Sequence, residues 1–260
     1  MFTIGVMYRD GDGVAQDYSA AMEWFQKAAD LDDVDAMICI GHMYRNGNGV
    51  ERDGNTAMEW YTKASDLGDT EGIKYIGEMY RYGDGVEQDY DAAMEWYMKA
   101  VDLDDSVAME IIGEMYHNGE GVEQDDDKAL EWYVKSLASM PVYWTFESIM
   151  DILHGEDATL KWFEESGDAE KMMALGELYR SRYSSYGEQI LPDFDKAVEW
   201  YTKAADLGNL DAMKMLGHIY EYAFLYGGEQ DLDKAEEWYQ KAADAGDEEA
   251  QSYVEAMQEQ

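Results

Sequence analysis

Cysteine is almost absent from this sequence. Cys39 stands alone, which excludes an intrachain disulfide. Proline is nearly as scarce, with two in 260 residues, and that favours uninterrupted helices. Basic residues are few: 19 Lys and Arg face 58 Asp and Glu, a formal net charge of −39. Such a surface repels phosphate backbones, so no nucleic acid partner is expected. Anionic membrane surfaces are disfavoured for the same reason, while basic proteins or peptides are attracted. Solubility, or adaptation to a salty cytoplasm, accounts for the charge equally well. No apolar run is long enough to span a bilayer, so no membrane insertion is expected. The opening MFTIGVMYRDGDG has neither a basic stretch nor a long apolar core, so no secretion signal is expected. The implied location is a reducing, cytoplasmic one.

Catalytic signatures are missing too. There is no Gly-x-x-x-x-Gly-Lys, no His-Glu-x-x-His and no Gly-x-Ser-x-Gly, and no serine is followed by lysine three residues later. His42, His117, His154 and His218 are far apart in the chain and form no metal-ligand spacing. Carboxylates are so abundant that a pair of them is not diagnostic. The expectation is a non-enzyme with no cofactor and no metal.

What is present is a repeat. Gly5, Gly41, Gly77 and Gly113 are 36 residues apart, as are Trp24, Trp60, Trp96 and Trp132. The segment IGHMYRNGNGVERDGNTAMEWYTKASDL recurs as IGEMYRYGDGVEQDYDAAMEWYMKAVDL and IGEMYHNGEGVEQDDDKALEWYVKSLAS. It returns with longer loops after residue 170. Seven units are expected, at about 1–35, 36–71, 72–107, 108–144, a degenerate 145–170, 171–211 and 212–249. The tail 250–260 places Ala250, Tyr253, Val254 and Met257 on one face, as a capping helix would.

Each unit reads as two helices, about Ala36–Arg45 and Asn55–Leu67 in the second, with Asp53 or Gly54 at the cap. Ala57, Trp60, Tyr61 and Ala64 form one apolar stripe. Glu and Lys four apart recur at 23/27, 59/63, 95/99, 131/135, 199/203 and 237/241, as exposed pairs worth about 0.2–0.5 kcal/mol each. Such a hairpin cannot bury its apolar face alone, so the units are expected to stack into a solenoid.

The pattern Ala-x-x-x-(Leu/Ile)-Gly-x-x-Tyr-x-x-Gly-x-Gly-Val, then Asp, then Ala-x-x-Trp-Tyr-x-Lys-Ala, resembles the Sel-1-like repeat, a relative of the tetratricopeptide repeat. The resemblance implies an all-α, right-handed α-α superhelix and a scaffold or adaptor that holds a protein or peptide in its concave groove. A cysteine-rich branch of that family resembles β-lactamase-like proteins. Lone Cys39 departs from it, and small-ligand or cell-wall binding, or hydrolysis of such a ligand, stands as the alternative.

Positions that recur in every unit serve folding, and positions that vary are free for binding. Recurring Ala36, Met37, Ile40, Gly41, Met43 and Tyr44 fill one arc of the first helix; Ile38, Cys39, His42 and Asn46 fall opposite. The equivalent positions, which the resemblance aims into the groove, are Thr3, Val6 and Asp10; Lys74, Tyr75, Glu78 and Tyr82; Glu110, Ile111, Glu114 and Asn118; Met173, Ala174, Glu177 and Ser181; and Lys214, Met215, His218 and Tyr222. Packing against the next unit is the competing role of each. The tryptophans and Met-Tyr pairs are assigned to the core.

Arg9, Arg45, Arg81 and Arg180 recur near the end of the first helix, where a cation meets the helix dipole, with a ladder for an acidic ligand as the alternative. Pro141 should end its helix, and the aromatics of 136–148 either fill a bend or form a hot spot. The long loop 181–195 is a second contact candidate. Self-association through solenoid ends remains open. RDGDGVAQD at 9–17 looks like a calcium loop, but its fifth, sixth and twelfth positions from Asp10 are Val14, Ala15 and Ala21, which do not suit one. Its glycines, valine and last aspartate recur, as a hairpin corner would.

Overall fold

The computed structural model describes residues 1–141, 143–181, 192–223 and 229–258, apart from the side chain of Tyr143. Among the described residues there are fifteen α-helices and no strand. They are α1 (Phe2–Asp10), α2 (Tyr18–Ala29), α3 (Val34–Asn46), α4 (Gly54–Asp66), α5 (Thr70–Tyr82), α6 (Tyr90–Val101), α7 (Ser106–Asn118) and α8 (Asp126–Ser139), then α9 (Tyr143–Leu153), α10 (Glu156–Glu165), α11 (Ala169–Arg180), α12 (Phe194–Asp206), α13 (Leu210–Glu221), α14 (Leu232–Asp244) and α15 (Glu248–Gln258). The chain divides into two compact units, Met1–Ala129 and Leu130–Gln260. In the first, each helix from α1 to α7 packs on the next; in the second, the same holds from α9 to α15. Contacts between chain neighbours in series are the signature of a solenoid.

The corner RDGDGVAQD shows how sequence dictates each hairpin. Gly11 (φ +79°) ends α1 in the left-handed region, and its N–H reaches Met7 O at 2.8 Å, the usual glycine termination. Gln16 Nε2 donates to Arg9 O at 2.8 Å, covering another free carbonyl. Asp17 N–H then bonds Tyr8 O, and its carboxylate accepts from Ser19 and Ala20 N–H to start α2. The same parts recur at Gly47, Arg52 and Asp53 and at Gly83, Gln88 and Asp89. Asp33, Asp69 and Asp105 cap the next first helices in the same way.

The core differs from the sequence assignment in which aromatic lies deepest. Trp24, Trp60, Trp96, Trp132 and Trp238 are only half-buried; Phe25, Tyr61, Tyr97, Tyr201 and Tyr239, each one residue later than a Trp, are fully buried. Their rings lie flat on the invariant first-helix glycine. A Cβ on Gly41 would come within 2.8 Å of two Tyr61 ring carbons, and one on Gly77 within 3.0 Å of three Tyr97 ring carbons. Only glycine permits that approach.

The tryptophans have a different task. Lys27, Lys63, Lys99 and Lys135 hold their ammonium groups 4.5, 3.7, 3.5 and 4.2 Å from the centroid of the Trp three residues earlier. Lys203 and Lys241 do the same and also pair with Glu199 and Glu237. The Glu–Lys pairing read from spacing thus closes at 199/203 and 237/241, while in the other four units the lysine chooses the ring face.

α8 stops at Ser139, two residues before Pro141, as expected. Phe146 is buried against Phe163 at 6.5 Å, while Trp144 is exposed. In the degenerate unit the glycine corner has shrunk to His154 and Gly155, both with positive φ, and α9 and α10 remain a helix pair.

Candidate functional site

In the first unit, α3, α5 and α7 carry the variable positions. His42 Nδ1 lies 2.9 Å from the Tyr61 hydroxyl, and its ring meets Tyr75 edge-on at 4.5 Å between centroids; Tyr61 and Tyr75 are 5.2 Å apart. Burial, and then the Arg45 charge, hold the His42 imidazole below its ordinary pKa. Ile38 packs half-buried on the same cluster. Lys74 is buried, with its ammonium between Glu71 at 2.6 Å and the capping Asp105 at 3.0 Å. Tyr82 is 60% exposed. Glu110 and Ile111 are half-buried.

The arginines have a partner that spacing within one helix did not reveal. Arg45 reaches 33 residues ahead to Glu78 at 2.9 Å and 39 ahead to Asp84 at 2.6 Å. Arg81 repeats both offsets, to Glu114 at 3.1 Å and Glu120 at 2.6 Å. Arg45 and Arg81 each tie their unit to the next, a partner that neither the helix-dipole nor the acidic-ligand reading named. Aligning successive units would have shown it, since Arg45 and Arg81 each have carboxylates at both offsets. Arg9 has His42 and Asn48 there instead, and it turns to its neighbour Asp10 and to Cys39 Sγ at 3.4 Å. Burial favours a higher Asp84 pKa, but hydrogen bonds from Arg45 and Arg52 outweigh it and lower the carboxyl. The Arg81 hydrogen bond lowers Glu120. Glu78 and Glu114 are therefore half-exposed but already engaged.

Among the described residues, the buried hydroxyls of Ser136, Thr145 and Tyr97 are left over. Tyr97 takes the place of Tyr61 one unit on, and its buried Oη has no hydrogen-bond partner. Glu78 stands where His42 stood and is drawn to Arg45.

In the second unit, α11, α13 and α15 repeat the theme. Glu177 accepts from the Tyr201 hydroxyl at 2.7 Å and pairs with Arg180. His218 Nδ1 is 2.8 Å from the Tyr239 hydroxyl, which itself donates to Glu221 at 2.8 Å. The Tyr239 proton is thus committed, so His218 Nδ1 carries the hydrogen that Tyr239 accepts. Tyr253 stacks beside both, 5.1 Å from His218 and 4.9 Å from Tyr239. Lys214 is held by Asp211, Asp247 and Glu249 at 2.9–3.1 Å. Lys214, Met215 and His218 line one cavity of about 340 Å³, together with Met173, Asp211 and Glu249. Tyr222 is exposed nearby, 6.3 Å from the His218 ring.

Most of the 181–195 candidate lies outside the described residues. Among the described residues, no group of three His, Cys, Asp or Glu is placed to hold a metal ion, and no helix is long and apolar enough to cross a membrane.

A family model described as Sel1 repeat matches residues 1–33, 34–69, 71–105, 106–138, 172–209 and 210–247. The stretch it passes over is the degenerate unit. The chain is similar to a protective antigen of uropathogenic Escherichia coli with an SLR fold: 31% identity, 98% of this chain, 56% of that one, TM-score 0.51. It thus spans little more than half the antigen's length. It is also similar to a Sel1 repeat protein from Oxalobacter formigenes, at 33% identity over 94% of this chain and 86% of that one, TM-score 0.48. No curated protein matches.

Proposed function

This chain belongs to the Sel1 repeat family, and from that premise we propose that it is a non-enzymatic scaffold that binds a protein or peptide partner along its first-helix face. One observation carries the reading. The variable first-helix positions, free to differ between units, gather polar and aromatic side chains around a fixed tyrosine: His42 with Tyr75 in the first unit, His218 with Tyr253 in the second. Exposed Tyr222 stands beside the second cluster, 6.3 Å from His218, and exposed Tyr82 lies against Arg81; Tyr is favoured at interface hot spots. The partner is a basic one, because a charge of −39 steers cations and rejects anions. A reducing, cytoplasmic setting accords with the unpaired, buried Cys39.

A second reading has its own support. The cavity at Met173, Met215 and His218 is within the range of small-ligand sites, which favours a small molecule there. Affinity capture with the wild type and with a Tyr82→Ala/Tyr222→Ala variant separates the two. Loss of captured proteins by the variant, with its melting curve unchanged, supports the scaffold. An unchanged set of partners overturns it, and turnover of a cell-wall substrate by the wild type overturns the non-enzymatic assignment.

A further inference from the structure

The rule that recurring positions serve folding has an exception at the far end of α2, α4 and α6. Leu31, Leu67 and Leu103 recur at 36-residue steps, yet they are 69%, 51% and 50% exposed. A residue repeated for packing would be buried. Each follows an aspartate (Asp30, Asp66, Asp102) and precedes a residue with positive φ, which is Asp32, Gly68 or Asp104. Two of these three turns hold aspartate where glycine would be relaxed, adding a carboxylate beside the leucine.

The first interval of this ladder is concave. A cavity of about 380 Å³ opens there, with Ala29, Met37 and Trp60 among its lining residues and Asp30, Asp66 and Leu67 beside them. Ala29 and Met37 are buried and Trp60 is half-buried under the Lys63 ammonium, so the space has an apolar floor and a rim on which Asp30, Asp32 and Asp66 outnumber Lys63. α2, α4 and α6 each pack against the first helix that lies between them and the next, which sets the leucines in a spaced row, and a helix likewise returns to one face at each seventh residue, about every 10 Å.

We propose that this leucine–aspartate edge of the first unit docks a basic amphipathic helix of another protein, with an apolar side chain every seventh residue on the leucines and flanking Lys or Arg on the aspartates. Charge selects this occupant. A second copy of the chain brings another −39, and an anionic lipid surface is repelled in the same way. The surface is separate from the first-helix face and does not depend on it.

The probe is a synthetic peptide of about 21 residues, three such steps long, with leucine at every seventh position and lysine beside each. Its binding is read by fluorescence anisotropy in about 0.5 M salt, where exposed charges alone are largely screened. The wild type binds. Leu31→Ser/Leu67→Ser/Leu103→Ser, at exposed positions and with an unchanged melt, loses about tenfold per leucine, and so does a peptide with serine for leucine. Tyr82→Ala/Tyr222→Ala binds as the wild type does, so this surface and the first-helix face fail separately. Absence of wild-type binding overturns the proposal, as does equal binding by the leucine variant. It is also overturned if sedimentation shows that the wild type self-associates through this edge, or if vesicles of anionic or neutral lipid retain the wild type and release the leucine variant.

Discussion

Tyr61 and Tyr97 sit 36 residues apart at the same place in successive units, and both are fully buried against a glycine. Only one has its hydroxyl satisfied. Tyr61 meets His42, while Tyr97 faces a unit in which Glu78 has turned to Arg45. The backbone of the two rungs is the same; the difference lies in a variable first-helix position. Such positions are therefore not simply surface. They reach down to the phenol beneath them, so a change at a binding position is felt in the core. The Tyr239 rung shows a third arrangement, with His218 and Glu221 sharing one hydroxyl.

The comparison breaks most completely at the glycines. Gly41→Ala drives a methyl into the Tyr61 ring and disturbs the His42 bond; Gly77→Ala displaces a tyrosine with no bond to lose. Both should cost about 1–3 kcal/mol in urea denaturation, with the Gly41 variant the less stable. Equal or reversed costs would show that the histidine contributes nothing.

The next effect comes from the arginine ties. Arg81→Ala strands Glu114 and Glu120, both partly exposed, and is expected to cost about 1–2 kcal/mol after allowing for that exposure. Arg9→Ala, which breaks a half-exposed contact with its own neighbour Asp10 and a weak one to Cys39 Sγ, should stay within about 0.5 kcal/mol. The tyrosines give the sharpest contrast. Tyr61→Phe should lose about 0.5–1.5 kcal/mol, and Tyr97→Phe should be neutral or stabilising, because it removes a buried hydroxyl without a partner. Destabilisation by Tyr97→Phe equal to that by Tyr61→Phe would mean that Tyr97 is satisfied in solution.

The smallest effect is in pH. The folded His42 pKa is lowered, so its contribution is complete above the ordinary imidazole value of about 6.5 and is lost as pH falls below it. Asp84 and Glu120 are also lowered, and their contribution disappears only at more acid pH, below the ordinary carboxylate range. A His42→Gln variant should flatten the first part of the stability curve and leave the second, and Arg81→Ala should remove the Glu120 share of the second. Thermal melts across this range check both.

Much of this was legible because the chain states it repeatedly. The 36-residue period, the capping aspartates and the corner glycines each report a local backbone requirement, and local requirements can be read one unit at a time. Residues that bridge units cannot. Lys74 reads as a groove cation on its own helix wheel, yet Asp105, the cap of a later helix, buries it. Lys63 has Glu59 four residues before it and Trp60 three before it, and spacing alone does not decide between them; the half-buried ring does. Leu67 looks like the last apolar residue of a stripe, but it lies one position beyond the end of α4 and faces solvent.

The arginine ties also govern where the chain tolerates insertion. Offsets of 33 and 39 residues from Arg45 and from Arg81 require that no residue be gained or lost between one first helix and the next corner. Gly176 and Gly217 are 41 residues apart, and there the arginine has turned inward: Arg180 pairs with Glu177 on its own helix. Arg45 and Arg81 keep the tie and the 36-residue spacing; Arg180 has given it up where the loop has grown, and Arg9 lacks it at unchanged spacing. Each tie thus works as a length check on the gene. Duplication of a whole unit passes it, while a single-codon slip within the regular region does not.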